Sequence, residues 1–299
     1  MAGQKERGTI MKKHQVMKRY VRLERNIMDL LIFNPIAKNI FSSTFFRFLL
    51  NEIEKFKEKN LLADVKKFTA PRHIAIIMDG NRRFAREMKI DMLKGHQLGA
   101  DRMEEIVDLC RELGTKVITV YAFSTENFRR PEKEVTELMD LIFEKLNGML
   151  TDQRIHKYKI KINVIGNLDL LPENVQEMAK KVMNATKSYD AYIFNIAIAY
   201  GGRDEIVEAT RKIMKKVQTG KIEPENIDNE TLSSHLYTAG LPDPDIIIRT
   251  SGEERISNFL LWQMANALFY FYDIYWPSFR RIDLLKIIKM YQVRERNGV

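Results

Sequence analysis

The stretch His73-Ile-Ala-Ile-Ile-Met-Asp79-Gly80-Asn81-Arg82-Arg83-Phe84-Ala85-Arg86 constrains this chain more than any other. Its apolar run, Ile74 to Met78, is too short for a helix and rich in β-branched residues, so it reads as a buried strand of a parallel sheet. Asp79 stands at the carboxyl end of that strand. Gly80-Asn81 is a turn signal and Arg82 onward starts a helix, which points free N–H groups and a positive dipole end toward the aspartate. The spacing alone fits a salt bridge or a helix cap. The order of residues suggests more: one carboxylate takes one or two positions of a Mg²⁺ that keeps water and phosphate oxygens as its other ligands. Arginine forks match those oxygens bidentately. The stretch therefore reads as a site for a metal diphosphate.

From Arg72 onward apolar runs alternate with helical patterns. Strands are expected at 74–78, 116–122, 159–165, 192–199, 245–249 and 267–271, and helices at 83–90, 100–113, 131–150, 172–187, 203–216 and 282–291. Such alternation predicts an α/β fold. It takes the form of a single domain with a central, mostly parallel sheet of about six strands flanked by helices, plus an N-terminal helical extension. Ligands of such sheets collect at the carboxyl ends of the strands. Three further strand ends offer suitable groups: Phe123–Pro131, Tyr200-Gly201-Gly202-Arg203, and Arg249–Ser257 with its two arginines and three hydroxyls. With Asp79 they place four sets of anion-binding groups on one rim.

The net charge of +9 is unevenly placed. Residues 1–70 hold 15 Lys/Arg against 7 Asp/Glu, and the remainder 34 against 33. The expected division is a basic amphipathic helical extension, 1–70, before a catalytic domain, 71–299. Within the extension Val16, Tyr20, Leu23 and Ile27 alternate with Lys12, Lys18, Arg22 and Arg25, Asn34-Pro35 breaks the pattern, and Phe41, Phe45, Phe46 and Phe48 follow. That segment either lies on an anionic membrane surface or packs on the globular domain. The former is preferred, as peripheral contact through residues 1–50. No nucleic acid is expected, because the balanced remainder has no basic stripe with interleaved aromatics. Cys110 is the only cysteine, so neither an intramolecular disulfide nor a cysteine-based zinc site is possible. No apolar run is long enough to cross a bilayer and no signal-peptide core is present, so the chain reads as soluble or peripheral and not secreted.

Taken together, His73–Arg86, Gly95-His96, Tyr121–Pro131, Asn195–Arg203, Asp245–Trp262, Trp276-Pro277 and Arg296-Asn297-Gly298 resemble the motifs of the cis-prenyltransferase family, over residues 71–298. The resemblance implies a transferase that condenses isopentenyl diphosphate repeatedly onto an allylic diphosphate, expected to be farnesyl diphosphate, with Mg²⁺ as cofactor. The implied product is a long-chain polyprenyl diphosphate of dehydrodolichyl type, destined for dolichol and glycosylation lipid carriers. Asp79 is then the catalytic metal ligand. Gly80, Asn81, Arg82, Arg83 and Arg86 hold the allylic diphosphate, and Arg249, Arg255 and Ser257 grip isopentenyl diphosphate. Asn127, with Ser124 and Arg130, stands near the bond-forming and proton-loss step. His96 either supports the diphosphate site or serves as a structural helix-entry histidine. Phe123, Phe128, Val135, Leu138, Met139, Ile142 and Leu146 either line a tunnel for the growing chain or, as preferred for the helix positions, pack an ordinary core.

One departure is informative. Where bacterial members carry a glutamate that helps hold the metal, this chain has Leu268, which leaves Asp79 as the sole protein ligand and looks more like the eukaryotic dolichol-type subunit, as does Asn167–Pro172. The terminal Arg296-Asn297-Gly298 shares a chain with the catalytic motifs. A self-sufficient homodimer is therefore expected, its tail reaching the neighbour's isopentenyl diphosphate, on the cytoplasmic face of the endoplasmic reticulum or in the cytoplasm. The alternative is a non-catalytic partner subunit of a heteromeric enzyme, but such subunits lose the aspartate and arginines kept here. Trans-type synthases are excluded by the lack of Asp-Asp-x-x-Asp, and P-loop kinases by the lack of Gly-Lys-Ser/Thr after a glycine-rich loop.

Overall fold

The structure, a computed structural model, describes residues 44–297. Residues 1–43, Gly298 and Val299 lie outside it, and with them most of the expected N-terminal amphipathic segment and the glycine of the terminal motif. Six strands form one sheet: β1 (His73–Ile77), β2 (Val117–Ser124), β3 (Ile160–Ile165), β4 (Tyr192–Tyr200), β5 (Ile246–Thr250) and β6 (Leu268–Tyr272). Their order is β3-β4-β2-β1-β5-β6 and every pairing is parallel. All six expected strands exist, and the sheet is parallel throughout.

β1 lies centrally, paired through Ile77 with Tyr121 on one side and Arg249 on the other. Alternation along it divides its side chains between two cores. Ile74 and Ile76 join the larger, with Ile118, Val120, Ile196 and Ile248, while Ala75 and Ile77 join a smaller one with Tyr121, Ile247, Phe259 and Leu260. The helices are α1 (Thr44–Val65), α2 (Asn81–Glu87), α3 (Met92–Glu112), α4 (Glu132–Met149), α5 (Gln153–Lys157), α6 (Glu173–Thr186), α7 (Gly202–Gln218), α8 (Asn229–Ser233) and α9 (Arg281–Arg296).

Three differences from the sequence reading have local causes. α3 starts at Met92 rather than Ala100, because Asp91 caps it by accepting a hydrogen bond from Leu93 N at 2.8 Å. Gly95 and Gly99, helix-weakening on paper, sit inside it because nothing larger fits. A Cβ at 95 would lie 2.8 Å from Ala85 Cβ, and one at 99 would lie 2.4 Å from Asn81 Oδ1. α5 and α8, single turns without apolar periodicity, are each started by an aspartate cap, Asp152 and Asp228. The segment between α1 and β1 is fixed by α9: Gln292 Nε2 donates to the carbonyls of Val65, Phe68 and Thr69 at 2.9, 3.2 and 3.2 Å.

Candidate active site

Asp79 is fixed through its main chain. Its N donates to Thr250 Oγ1 at 3.0 Å, while its carbonyl accepts from the Thr250 hydroxyl at 2.7 Å and from Trp276 N at 3.0 Å. Gly80 follows at φ +102°, where a Cβ would sit 2.8 Å from Tyr275 Cδ1 and 2.9 Å from Ser251 Cβ. Only glycine fits there, both for space and for conformation. The sharp turn starts α2 immediately.

The charges meet across β1 and β5. Arg249, whose side chain is 4% exposed, donates from Nη2 to Asp79 Oδ2 at 2.7 Å and from Nη1 to Ser257 Oγ at 2.6 Å and to the Arg255 carbonyl. Its buried Nε has no partner. Arg83 lies 3.6 Å from Asp79 Oδ1, bonds Ser251 Oγ and pairs with Glu253 at 2.9 Å. Thus one buried guanidinium ties the aspartate loop to the loop after β5. That second loop is backbone-strained: Ser251, Ser257, Asn258 and Leu260 all have left-handed φ values of 70, 47, 61 and 43°. Asn258 holds it, donating to Glu126 Oε1 at 3.0 Å and accepting from the main-chain N of Arg203 at 2.9 Å and of Gly202 at 2.7 Å. The ends of β1, β2, β4 and β5 therefore form one connected cluster. Asn258 escaped the sequence reading, although its place directly after Ser257 in the Arg-rich loop was a signal.

A second wall is organised by Glu134, also missed. Its Oε1 lies 3.1 Å from Arg130 Nη1 and 3.5 Å from Arg82 Nε, so one carboxylate in the first turn of α4 aims two guanidiniums. The i,i+4 spacing to Arg130 was the available signal. His96 stands beside them. Burial first, then the charge of Arg130, push its pKa down to about 4, with Glu134 opposing, and its buried Nε2 has no partner. Burial likewise lowers the pKa of Arg130. Asn127 Oδ1 accepts from Ser124 N at 3.2 Å, closing the turn after β2. Asn81 Oδ1 is a further buried atom without a partner.

Asp79, Arg249 and Ser257 thus form one hydrogen-bonded group, with Arg83 ion-paired to Asp79 at 3.6 Å and Gly80 in the turn beside it, and Arg82, Arg130 and His96 gather around Glu134. Other expected residues stand apart. Arg86 is exposed on the last turn of α2. The side chain of Arg255 is 64% exposed and pairs with Glu253, so only its carbonyl joins the cluster. Arg296 lies over the Phe68 ring, 4.2 Å from its centroid, away from Asp79 in its own chain, and Gly298 is outside the described residues. Leu268 is aligned with Ile246 at the start of its strand. It therefore lies four residues from Thr250 along the sheet, about 13 Å, and a carboxylate there would not face Asp79 of the same chain. Leu138 and Leu146 are core residues, 7% and 2% exposed, as preferred. Met139 is buried in the same core, with Phe128 and Val135 packed against it, and all three also line a cavity of about 450 Å³ beside α4.

The donor set suits a divalent cation. Asp79 Oδ1 has no hydrogen-bond partner closer than the 3.6 Å guanidinium, and among the described residues no group of three or more His, Cys, Asp or Glu could hold a metal by itself. A cation at Asp79 would complete its sphere from diphosphate and water. Mostly cationic side chains converging on one carboxylate, with the buried nitrogens Arg249 Nε and His96 Nε2 left unpaired, are what a bound polyphosphate would complete.

Comparison with known proteins agrees. The family model described as putative undecaprenyl diphosphate synthase matches residues 77–298. The tritrans,polycis-undecaprenyl-diphosphate synthase (geranylgeranyl-diphosphate specific) of Methanocaldococcus jannaschii is 51% identical over 255 residues, 84% of this chain and 91% of that one. The protein of the same name from Thermococcus kodakarensis is 51% identical over 239 residues, 80% of this chain and 90% of that one. Lavandulyl diphosphate synthase from Lavandula x intermedia, solved with dimethylallyl diphosphate, superposes with a TM-score of 0.71 at 37% identity, covering 76% of this chain and 97% of that one. A probable undecaprenyl diphosphate synthase from Campylobacter jejuni gives 0.63 at 33%, with the same coverage. The chain belongs to the cis-prenyltransferase family and is a prenyl diphosphate synthase.

Proposed function

We propose that the enzyme extends geranylgeranyl diphosphate with isopentenyl diphosphate to a long polycis-prenyl diphosphate of the undecaprenyl class. The primer and product class follow the names of the archaeal relatives and replace the farnesyl primer and dehydrodolichyl product expected from the sequence. The observation that carries the chemistry is the Arg249 fork, which links Asp79 to Ser257 and so couples two neighbouring anion sites. The allylic diphosphate would lie against Asp79, Gly80, Arg82 and Arg83, and the isopentenyl diphosphate against Arg249, Ser257 and Arg255. Arg82 and Arg83 would neutralise charge growing on the leaving diphosphate, preorganised by Glu134 and Glu253 before substrate arrives. His96, unprotonated near neutral pH and with a bare buried Nε2, would hydrogen-bond within the same site. Ser124 and Asn127, at the end of β2, would face the reacting carbons. A Mg²⁺ at Asp79 would supply Lewis-acid stabilisation of the departing diphosphate.

The assembly we infer is a homodimer. β6 is an outer strand whose Leu268–Tyr272 run is partly exposed, with Phe269 and Phe271 stacked at 5.9 Å and Phe271 36% exposed. An apolar outer strand of that kind is normally covered. Arg296, held over Phe68, would direct the last residues toward a partner's site rather than its own. The N-terminal extension, 1–70, would attach the catalytic domain, 71–299, to the cytoplasmic side of a membrane. Its charge supports that reading, while the archaeal relatives lend none to an endoplasmic reticulum. Among the described residues no helix is long and apolar enough to cross a membrane.

The test is the purified full chain with labelled isopentenyl diphosphate, Mg²⁺ and either geranylgeranyl or farnesyl diphosphate, sizing the lipid products. Geranylgeranyl diphosphate should have the higher kcat/KM. A preference for farnesyl diphosphate would refute the primer, and no polyprenyl product from the protein alone would refute self-sufficiency. Asp79→Ala should abolish turnover and keep the fold, since the main chain at 79 is held by Thr250 and Trp276.

A further inference from the structure

The end of the sheet opposite Asp79 carries a different surface. Lys116 precedes β2, Lys157, Tyr158 and Lys159 precede β3, and Tyr189 and Tyr192 lead into β4. Lysine ammoniums are held over tyrosine rings there: Lys116 over Tyr192 at 4.7 Å, Lys157 over Tyr158 at 5.2 Å and Lys159 over Tyr189 at 4.7 Å. All three lysines are exposed, as is Lys187, and Lys161 is partly so. The acids nearby are largely committed elsewhere. Glu104, Asp108 and Asp152 pair with Arg154 at 3.2, 2.7 and 2.7 Å, and Glu112 pairs with Lys66 and Arg281. Asp190, and Glu144 at the cavity behind this face, are further exposed acids. The face is thus cationic and aromatic, while the catalytic unit as a whole is nearly neutral.

α5 joins this face to an interior space. Its Ile155 forms part of the wall of a cavity of about 430 Å³, with Met103, Val107, Ile160 and Phe194, and its Arg154 stands at the same cavity. The next residues turn outward: His156 bonds the Tyr189 hydroxyl at 3.0 Å and Lys157 lies over Tyr158. A cavity of mixed lining, these apolar side chains together with Glu104, Asp108, Glu144, Lys145, Asp152 and Arg154, therefore lies behind a Lys–Tyr face, at the far end of the sheet from the chemistry.

We propose that this face docks on an anionic lipid bilayer, with α5 as the element between the membrane and the cavity. Lysine and tyrosine are the side chains that settle at a bilayer surface, the ring at the headgroup level and the ammonium on lipid phosphate. The cavity gives the contact a purpose, which rests on the prenyl-chain reading: a product too apolar for water needs an outlet beside lipid. This contact is separate from any made by residues 1–50, and it orients the molecule with Asp79 facing away from the membrane.

The experiment uses the full chain bearing Ser188→Cys, an exposed position between Lys187 and Tyr189, labelled with an environment-sensitive fluorophore. Cys110 is fully buried and stays unlabelled. Phosphatidylglycerol/phosphatidylcholine vesicles should blue-shift the label and pure phosphatidylcholine vesicles should not, and the shift should weaken with salt. In the triple variant Lys116→Glu, Lys157→Glu, Lys159→Glu the vesicle concentration needed for half the shift should rise at least tenfold. Lys→Gln at the same positions should give an intermediate value, with melting curves confirming the fold of both. No shift with anionic vesicles overturns the proposal and leaves an acidic protein as the partner. An equal shift in the charge-reversed protein also overturns it. Condensation assayed in detergent should be unchanged in these variants, so a failure of the wild-type enzyme to condense would sink the catalytic reading and not this one.

Discussion

Acid should destabilise this protein through one buried histidine whose environment admits only its neutral form. His73 Nδ1 lies 2.8 Å from the carbonyl of Pro242, which can only accept, so Nδ1 carries the proton. Nε2, 2.7 Å from Thr119 Oγ1, must then accept the threonine hydroxyl, while Thr119 Oγ1 accepts from Asn195 Nδ2 at 2.9 Å and Asn195 Oδ1 accepts from Asn163 Nδ2 at 2.9 Å. The donors all point one way across β3, β4, β2 and β1. A second proton on Nε2 would oppose the threonine donor with another donor. Burial, the largest cause, pushes the pKa from 6.5 to about 4, against smaller opposing contributions from Pro242 and Asp245. The unfolded chain then binds the proton that the folded chain refuses, so stability falls as pH drops from about 6.5 toward about 4. The full loss is about 3 kcal/mol, of which about 1 kcal/mol falls between pH 7 and 5.5. His96 is shifted in the same direction, so the measurement is urea unfolding of His96→Asn protein at those two pH values, with the His73 ring resonance followed by NMR. Equal stability at both, or a ring that titrates near 6.5 in the folded protein, would refute the assignment.

Other substitutions probe the site. Gly80→Ala should lower stability by roughly 2 kcal/mol or more in thermal unfolding, because φ +102° is unfavourable for alanine and its Cβ meets Tyr275 and Ser251; an unchanged Tm would contradict the turn geometry. Arg249→Met should reduce kcat/KM by about 10²–10³-fold, the usual effect of deleting one preorganised charge, and a loss under tenfold would remove Arg249 from the diphosphate site. Glu134→Gln, which frees Arg82 and Arg130 from their shared carboxylate, should raise KM for the allylic diphosphate more than it lowers kcat; the reverse pattern would argue against a positioning role. Phe271→Glu on β6 should shift the protein from dimer to monomer in sedimentation, and an unchanged mass would move the interface off this strand.

The fold was legible because the parallel strands are short and apolar and are separated by strongly periodic helices, so each segment carries its own signature. What failed to register was local and polar. α5 and α8 are set by aspartate caps rather than by periodicity, and the start of α3 was obscured by two glycines whose reason for being there is α2 against them, Ala85 and the Asn81 carbonyl at Gly95 and the Asn81 side chain at Gly99. The site was legible in kind, since an aspartate followed by Gly-Asn-Arg-Arg at a strand end admits few uses. It was not legible in its wiring. Asn258 and Glu134 bind no expected substrate, yet one spans three strand-end loops and the other aims two arginines. Their partners lie 132, 55 and 52 positions away for Glu126, Arg203 and Arg82, and such contacts leave no periodic trace in a single chain. Arginines at a rim repel one another and drift into solvent unless something holds them before the ligand does. The carboxylates and carboxamides that hold them are therefore as much a condition of diphosphate binding as the guanidiniums, and they are found by asking what keeps each cation in place when no phosphate is present.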